Sequence, residues 1–279
     1  MAAWPSLRQA RAFPIEDQPV SFEHCKVERD GRTLIVTIDR PDRMNALHPP
    51  ANAELARVFD DFAADPDLWV AILTGAGPRA FCAGNDLRWQ AEGNAVTVPP
   101  TGFAGLTSRW DLDKPVIAAV NGVAMGGGFE IALACDIILA AETASFALPE
   151  PKVGLAALAG GLHRLPRTIG VKRAMGMILT GRSVPAAEGK ALGFVHDVVA
   201  ADALMDAAKA LAATICELSP MSIRASKQVV ARSLDTASLR EAYDGQMAHP
   251  AVQALWRSED LREGPLAFAQ KRKPDWKGK

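Results

Sequence analysis

The segment 116–150 constrains the fold more than any other part of the chain. Its apolar run Val116-Ile-Ala-Ala-Val120 has the length and composition of a buried strand. The run ends at a turn, Asn121-Gly122, and three glycines follow, Gly126, Gly127 and Gly128. A helix-like segment, Phe129–Ala134, starts directly after them, and a strand-like run, Asp136–Ala141, comes next. Glycines at a strand-to-helix junction leave the backbone bare, and the first turn of a helix carries N–H groups without partners inside the helix. With the helix dipole behind them, those groups favour an anion, or an oxygen that becomes one during a reaction. Glu130 falls within that first turn and Glu150 twenty residues later. Two readings stand. The junction is an oxyanion hole beside two carboxylates, or it is a tight turn with close packing in which Glu130 only complements the dipole.

Composition narrows the classes. The chain has 279 residues, enough for one large domain or two smaller ones. Hydrophobic residues make up 49% and charged residues 23%, as in ordinary soluble globular proteins. A net charge of −1 gives no global signal for nucleic-acid binding, so no nucleic-acid partner is expected. Cys25, Cys82, Cys135 and Cys216 form no CxxC pair and no zinc spacing. Free thiols in a reducing compartment and no metal are expected. No apolar run reaches the ~18 residues of a membrane span, so no membrane partner is expected and cytoplasmic is the default localisation. Residues 1–20 lack pattern and read as an arm. Within 1–15, Arg8 and Arg11 without an acid would also suit a transit peptide, against which stand the short length and two prolines.

In chain order, strand-like runs at Cys25–Glu28 and Thr33–Ile38 flank a hairpin turn at Asp30-Gly31. A helix is predicted over Ala51–Ala64, with Leu55, Val58, Phe59 and Phe62 on one face. Trp69–Thr74 reads as a buried strand. The segment Arg79-Ala-Phe-Cys-Ala-Gly-Asn-Asp-Leu-Arg88 has a small-residue centre, Ala83-Gly84, that lets a ligand approach the backbone. Residues 91–107 read as a mobile loop. Helical pattern runs to about Thr180, Phe194–Val199 is the last strand, and helices alone follow from Ala201. Leu204, Ala208, Leu211 and Ile215 form one stripe there, and residues 251–270 read as helical too, with a stop at Pro274. The pattern is α/β for about 200 residues, then helical.

Taken in order and spacing, these motifs resemble the crotonase superfamily, the enoyl-CoA hydratase/isomerase family. The resemblance rests on Arg40-Pro41 with Asn45-Ala46-Leu47, Ala80-Phe-Cys-Ala-Gly-Asn-Asp86, Pro115-Val-Ile-Ala-Ala-Val-Asn-Gly122, Gly126-Gly-Gly-Phe-Glu130, Phe146-Ala-Leu-Pro-Glu150, and Gly160-Gly161 with Arg164-Leu165. It implies an α/β crotonase-like spiral of β-β-α turns over 21–200 and a C-terminal helical trimerisation region over 201–279. It also implies a homotrimer or dimer of trimers. The implied activity is that of an enoyl-CoA hydratase or acyl-CoA dehydratase, with no cofactor, because coenzyme A enters as part of the substrate. By motif position the Asn85 and Gly127 N–H groups would hold the thioester oxygen, Glu130 the water and Glu150 the α-proton. The coenzyme would lie along Ala83, Asn85, Asp86, Leu87 and Arg88, with Ala46 lining the groove and Arg79 and Arg88 near phosphates. Phe268 and Lys271 would reach it from a neighbouring subunit. Residues 271–279 also read as a basic, frayed terminus.

The chain departs from the family pattern in places. The loop Leu155-Ala-Ala-Leu-Ala159 lacks the usual proline, and Asp42, beside Arg43, sits where a basic coenzyme contact is common. The wording Phe146-Ala-Leu-Pro-Glu150 is similar to that of carnitinyl-CoA dehydratases as much as of short-chain hydratases. Cys82 reads as packing, His163 as structural, and Trp110 and Trp256 as core or interface anchors. The alternatives to a hydratase are an enoyl-CoA isomerase, which needs one carboxylate, and a catalytically silent acyl-CoA-binding subunit.

Overall fold

A hairpin opens the described part of the chain. Strands β1 (Cys25–Asp30) and β2 (Thr33–Ile38) pair antiparallel with Asp30 opposite Thr33. The two-residue loop is therefore Gly31-Arg32, one position later than the sequence suggests, with Gly31 at φ +57°. The computed structural model describes residues 22–279, so the arm expected over 1–20 lies outside the described residues.

Helix α1 (Pro49–Ala64) starts two residues before the predicted Ala51. Pro49 and Pro50 fill its first turn, where a missing N–H loses nothing, and His48 Nδ1 accepts the Ala51 N–H at 3.4 Å. The predicted stripe Leu55, Val58, Phe59 and Phe62 is buried.

The spiral comes next. β3 (Val70–Gly75) leads to β4 (Ala80–Cys82) and the short α2 (Leu87–Ala91). β5 (Val116–Val120) leads to β6 (Val123–Met125) and α3 (Gly127–Ala134), and β7 (Ile137–Ala141) leads to β8 (Ser145–Ala147). Each pair puts one strand into a large sheet, turns a corner and puts the next into a small one. After α4 (Gly161–Ile169) and α5 (Val171–Thr180) come β9 (Val184–Pro185), α6 (Ala186–Leu192) and β10 (Asp197–Val199). The large sheet runs β1-β2-β3-β5-β7-β10, parallel beyond β2, and the small one β4-β6-β8-β9. This is an α/β fold built as a spiral of β-β-α turns.

Two asparagines tie the β3–β4 corner. Asn45 Nδ2 donates to the Ala76 and Ala80 carbonyls at 3.0 and 2.7 Å. Asn121 Nδ2 donates to Gly75, Gly77 and Ala80 carbonyls at 2.9, 2.6 and 3.2 Å, while its Oδ1 accepts the Gly75 N–H at 3.1 Å. Phe129, Phe146 and Phe194 pack with ring centroids 5.0–5.2 Å apart and fix α3 against the small sheet.

The rest of the chain is helical: α7 (Leu204–Cys216), α8 (Pro220–Ser233), α9 (Leu239–Gly245), α10 (Pro250–Arg257) and α11 (Asp260–Ala269). α7 lies against β3, β5 and β7, with Leu204, Ala208 and Ala212 fully buried and Leu211 and Ile215 half-buried at the margin. Several expectations are corrected here. The helix expected up to Thr180 is two, broken at Gly170 with φ +82°. The helical stretch expected over 251–270 is also two helices, broken at Ser258-Glu259. The tail is not frayed. Trp276 donates to the Glu217 carbonyl at 2.8 Å, and the Lys277 and Gly278 N–H groups converge on Asp260 Oδ1 at 2.8 and 3.2 Å. Trp110 and Trp256 are 72% and 58% exposed, so neither is a core anchor. The loop expected over 91–107 is exposed only in its first part. Phe103, Ala104, Gly105 and Leu106 pack under α1, where Asn52 Oδ1 accepts the Ala104 N–H at 2.7 Å. Among the described residues no helix is long and apolar enough to cross a membrane.

Candidate active site

Two backbone turns meet at the start of α3. The segment 83–86 runs beside 44–47: Ala83 N–H donates to Met44 O at 3.0 Å, Leu47 N–H to Gly84 O at 2.8 Å and Asp86 N–H to Leu47 O at 2.9 Å. The groups on either side of Asn85, the Gly84 carbonyl and the Asp86 N–H, both bond to Leu47, so the Asn85 N–H between them turns to the other side. Gly84 has φ +93°, and a Cβ there would lie 3.1 Å from the Gly127 nitrogen. Gly126, at φ +54° and ψ −125°, is the N-cap of α3, so Gly127 begins the helix with an N–H that has no helical acceptor. The Asn85 and Gly127 donors are thus brought to one place at the positive end of a helix. A Cβ on Gly128 would overlap the Cys82 carbonyl, so this glycine is required by packing alone. Cys82 itself is fully buried with its thiol pushed up to about 12, which makes it inert packing.

Both predicted glutamates reach this junction. Glu130 is 3% exposed, and its Oε1 accepts the Gly161 N–H at 2.8 Å. Burial pushes its carboxyl up to about 7, and the charge of Glu150 adds to that, against the Gly161 and Ala159 backbone and the cation of Arg164. Glu150 opens a short 3-10 turn after β8, and burial raises its carboxyl too. A Cβ on Gly126 would sit 2.8 Å from Glu150 Oε1, so the glycine turn and the carboxyl are in direct contact. Glu150 Oε2 is buried and has no hydrogen-bond partner among the described residues. The loop that departs from the family pattern wraps both acids. Leu155 N–H donates to the Glu150 carbonyl at 3.0 Å, and the loop ends at Gly161 on Glu130.

The remaining predicted residues fall into three groups. Ala46, Ala83, Asn85, Asp86, Leu87 and Arg88 share one strip, with Ala46 buried, Ala83 and Asn85 half-buried, and Leu87 and Arg88 exposed at the start of α2. Asp86 is already engaged. It caps α2 through the Trp89 N–H at 3.2 Å and pairs with Arg40 Nη2 at 3.0 Å. Burial opposes its charge, but the Trp89 N–H and the Arg40 guanidinium together hold it below the usual carboxylate range. Its carboxylate is structural, and the strip is left with backbone, Leu87 and Arg88 to offer a ligand. Arg79 is exposed on the next corner, donating to the Pro41 carbonyl at 2.8 Å. Phe268 and Lys271 form the third group. They are exposed at the end of α11, which packs on α10, and the structure does not bring them to the glutamates. His163 is exposed on α4.

Sequence reasoning missed two side chains. The Phe103 ring packs against Gly127, where a Cβ would lie 2.7 Å from its Cε1, so Phe103 walls the junction. The available signal was the glycine pair Gly102 and Gly105, both at positive φ, around a residue that must turn sharply. The second is Arg164, whose cation acts on Glu130 from α4.

Known proteins resemble this chain over nearly its whole length. Residues 28–279 match the family model described as Enoyl-CoA hydratase/isomerase. The chain is 44% identical over 262 residues to a carnitinyl-CoA dehydratase of Salmonella arizonae, covering 92% of this chain and 99% of that protein. It is 45% identical over 263 residues to the carnitinyl-CoA dehydratase of Escherichia coli K12, with the same coverage. Among solved structures, an enoyl-CoA hydratase from Mycobacterium tuberculosis H37Rv superposes with a TM-score of 0.86 at 40% identity, covering 92% of this chain and 99% of that one. A carnitinyl-CoA hydratase from Mycobacterium avium superposes with a TM-score of 0.73 at 38% identity, covering 93% and 100%. With the family model, the spiral fold and the matched length in agreement, the chain belongs to the enoyl-CoA hydratase/isomerase family.

Proposed function

We propose that this protein adds water reversibly across the α,β double bond of an acyl-CoA thioester, or removes it in the reverse direction. The observation that carries the reading is the pair of carboxyls at one glycine junction, both raised by burial, one to about 7 and the other with a buried oxygen left unbonded. Hydration needs one carboxylate to take a proton from water and one acid to deliver a proton to the α-carbon. A coupled pair of buried acids can hold one proton between them near neutrality. Glu130 orients and deprotonates the water, and Glu150 exchanges the α-proton. The thioester oxygen, which gains negative charge as the enolate forms, takes the Asn85 and Gly127 N–H groups. Loss of one such donor lowers rate by roughly a hundred- to thousand-fold.

The coenzyme is part of the substrate and no separate cofactor takes part. It lies along Ala46, Ala83 and 85–88, with Arg79 and Arg88 as its basic contacts. Phe268 and Lys271 complete the site from a neighbouring subunit of a homotrimer or a dimer of trimers. The apolar side chains that α8–α11 leave exposed, among them Leu234, Leu239, Tyr243 and Phe268, support such an assembly. Residues 21–200 form the catalytic spiral and 201–279 the helical assembly region of a cytoplasmic enzyme that engages neither nucleic acid nor membrane.

The test is loss of enoyl-thioester absorbance with crotonyl-CoA and crotonobetainyl-CoA. The parent is expected to turn over at least one of them, and Glu130→Gln and Glu150→Gln each to lose on the order of a hundredfold or more. An isomerase would keep most activity in Glu130→Gln, and a silent subunit would bind both thioesters and convert neither.

A further inference from the structure

Arg164 belongs to the first turn of α4, three residues after the glycine whose N–H holds Glu130. Its half-buried side chain folds back over the start of its own helix, so close to Gly160 that a Cβ there would collide with Nη1. From that position Nη2 donates to the Thr107 carbonyl at 2.9 Å, and the guanidinium carbon lies 5.2 Å from the centroid of the Trp110 ring. The Thr107 hydroxyl in turn accepts the Phe103 N–H at 2.8 Å, and the Phe103 ring is the wall against Gly127. One cation therefore spans the segment 103–110 and the Gly160-Gly161 turn. The charged groups acting on Glu130 are Glu150, from the turn after β8, and Arg164, from α4. Burial lowers the Arg164 guanidinium, and the Cys135 thiol, just past the end of α3, and Glu130, on α3, oppose that.

We propose that Arg164 is a positioning residue of this site: its planar fork holds the Phe103 wall in register with the turn that binds Glu130, and it sets a positive charge against that turn. This rests on the reading of Glu130 as the base that activates water. The geometry gives the two parts separate chemical requirements. Spanning the Thr107 carbonyl and the Trp110 face at once needs a guanidinium, which an ammonium does not replace. Favouring ionised Glu130 needs only a positive charge.

Arg164→Lys and Arg164→Gln separate them. Lysine keeps the charge without the fork, and glutamine keeps an N–H donor for Thr107 without the charge. Two quantities are read across the neutral pH range. One is the dissociation constant of butyryl-CoA, by calorimetry. The other is the infrared titration of the Glu130 carboxyl, identified by its disappearance in Glu130→Gln, beside the pH profile of crotonyl-CoA hydration. The lysine variant is expected to bind butyryl-CoA several-fold more weakly while its titration midpoint stays with the parent's. The glutamine variant is expected to move the midpoint and the acid limb of the hydration profile together to higher pH. Unchanged butyryl-CoA binding in Arg164→Lys overturns the positioning role, and an unchanged midpoint in Arg164→Gln overturns the charge role. If the parent hydrates nothing yet both shifts occur, the proposed reaction fails and the assignment of Arg164 stands. If the parent hydrates and neither shift occurs, the reverse holds.

Discussion

Burial makes Glu130 chemically useful and energetically costly at once. Its carboxyl is raised from 4.5 to about 7 in the folded protein. Between those values the folded chain keeps a proton that the unfolded chain has released. The stabilising contribution is therefore complete below about 4.5 and is lost as pH rises through about 7. Glu130→Gln keeps an acceptor for the Gly161 N–H and never ionises. It is expected to be more stable than the parent by up to about 3 kcal/mol near pH 9, with the gap closing toward pH 5, as measured by urea unfolding at both values. A variant less stable than the parent at the higher pH would contradict a carboxyl held neutral by burial. The two glutamates were legible in the sequence because each sits in a motif with a fixed offset from a glycine turn. Phe103 was not, because its meaning depends on Gly127, which only the fold brings against its ring. Asp86 was legible as a position on the strip, but the engagement of its carboxylate was not, because its ion pair with Arg40 spans 46 residues.

Among the elements, the clearest signals were those with enough residues to show a period. The α1 face and the apolar run of β5 needed no partner to be recognised. β4, β6 and β8 are three residues each, too short for alternation to show, and they exist by virtue of pairing with one another. The end of α1 depends on a group no helix pattern reveals. Lys114, 2% exposed, donates to the Phe62 and Asp65 carbonyls at 2.6 and 2.5 Å, and burial, with Arg224 adding to it, lowers its ammonium to about 8. It closes the negative end of α1 and ties it to the approach to β5. Lys114→Met preserves the stem and removes the donor. The expected loss is about 1–3 kcal/mol, from the Phe62 carbonyl losing its lysine donor and the Asp65 carbonyl keeping only the Leu68 N–H at 3.3 Å. A chemical denaturation midpoint close to the parent's would show that the carbonyls find other partners.

Across the whole molecule, the motifs that carried the family resemblance are the corners of the spiral. Asn45, Gly84, Asn121-Gly122, the three glycines at 126–128 and Gly160-Gly161 each stand where the chain changes direction or where two turns touch. The recurrence of corners is why fold and site were readable together. The C-terminal helices gave less, since Leu239, Tyr243, Trp256 and Phe268 announce apolar faces without saying what covers them. One corner also sets how the protein ages. Asn-Gly is prone to losing its side-chain amide, because glycine leaves the following N–H free to attack. In the folded chain the Asn121 amide is pinned by three carbonyls and one N–H, and it cannot swing into that attack. Once unfolded it can, and hydrolysis of the cyclic imide leaves aspartate or isoaspartate, whose carboxylate facing the oxygens of Gly75, Gly77 and Ala80 disfavours refolding. The shelf life of a preparation then follows how often molecules open, and a mass increase of about one dalton on the peptide containing Asn121 should collect in heat-inactivated protein and be absent from the fraction that remains active.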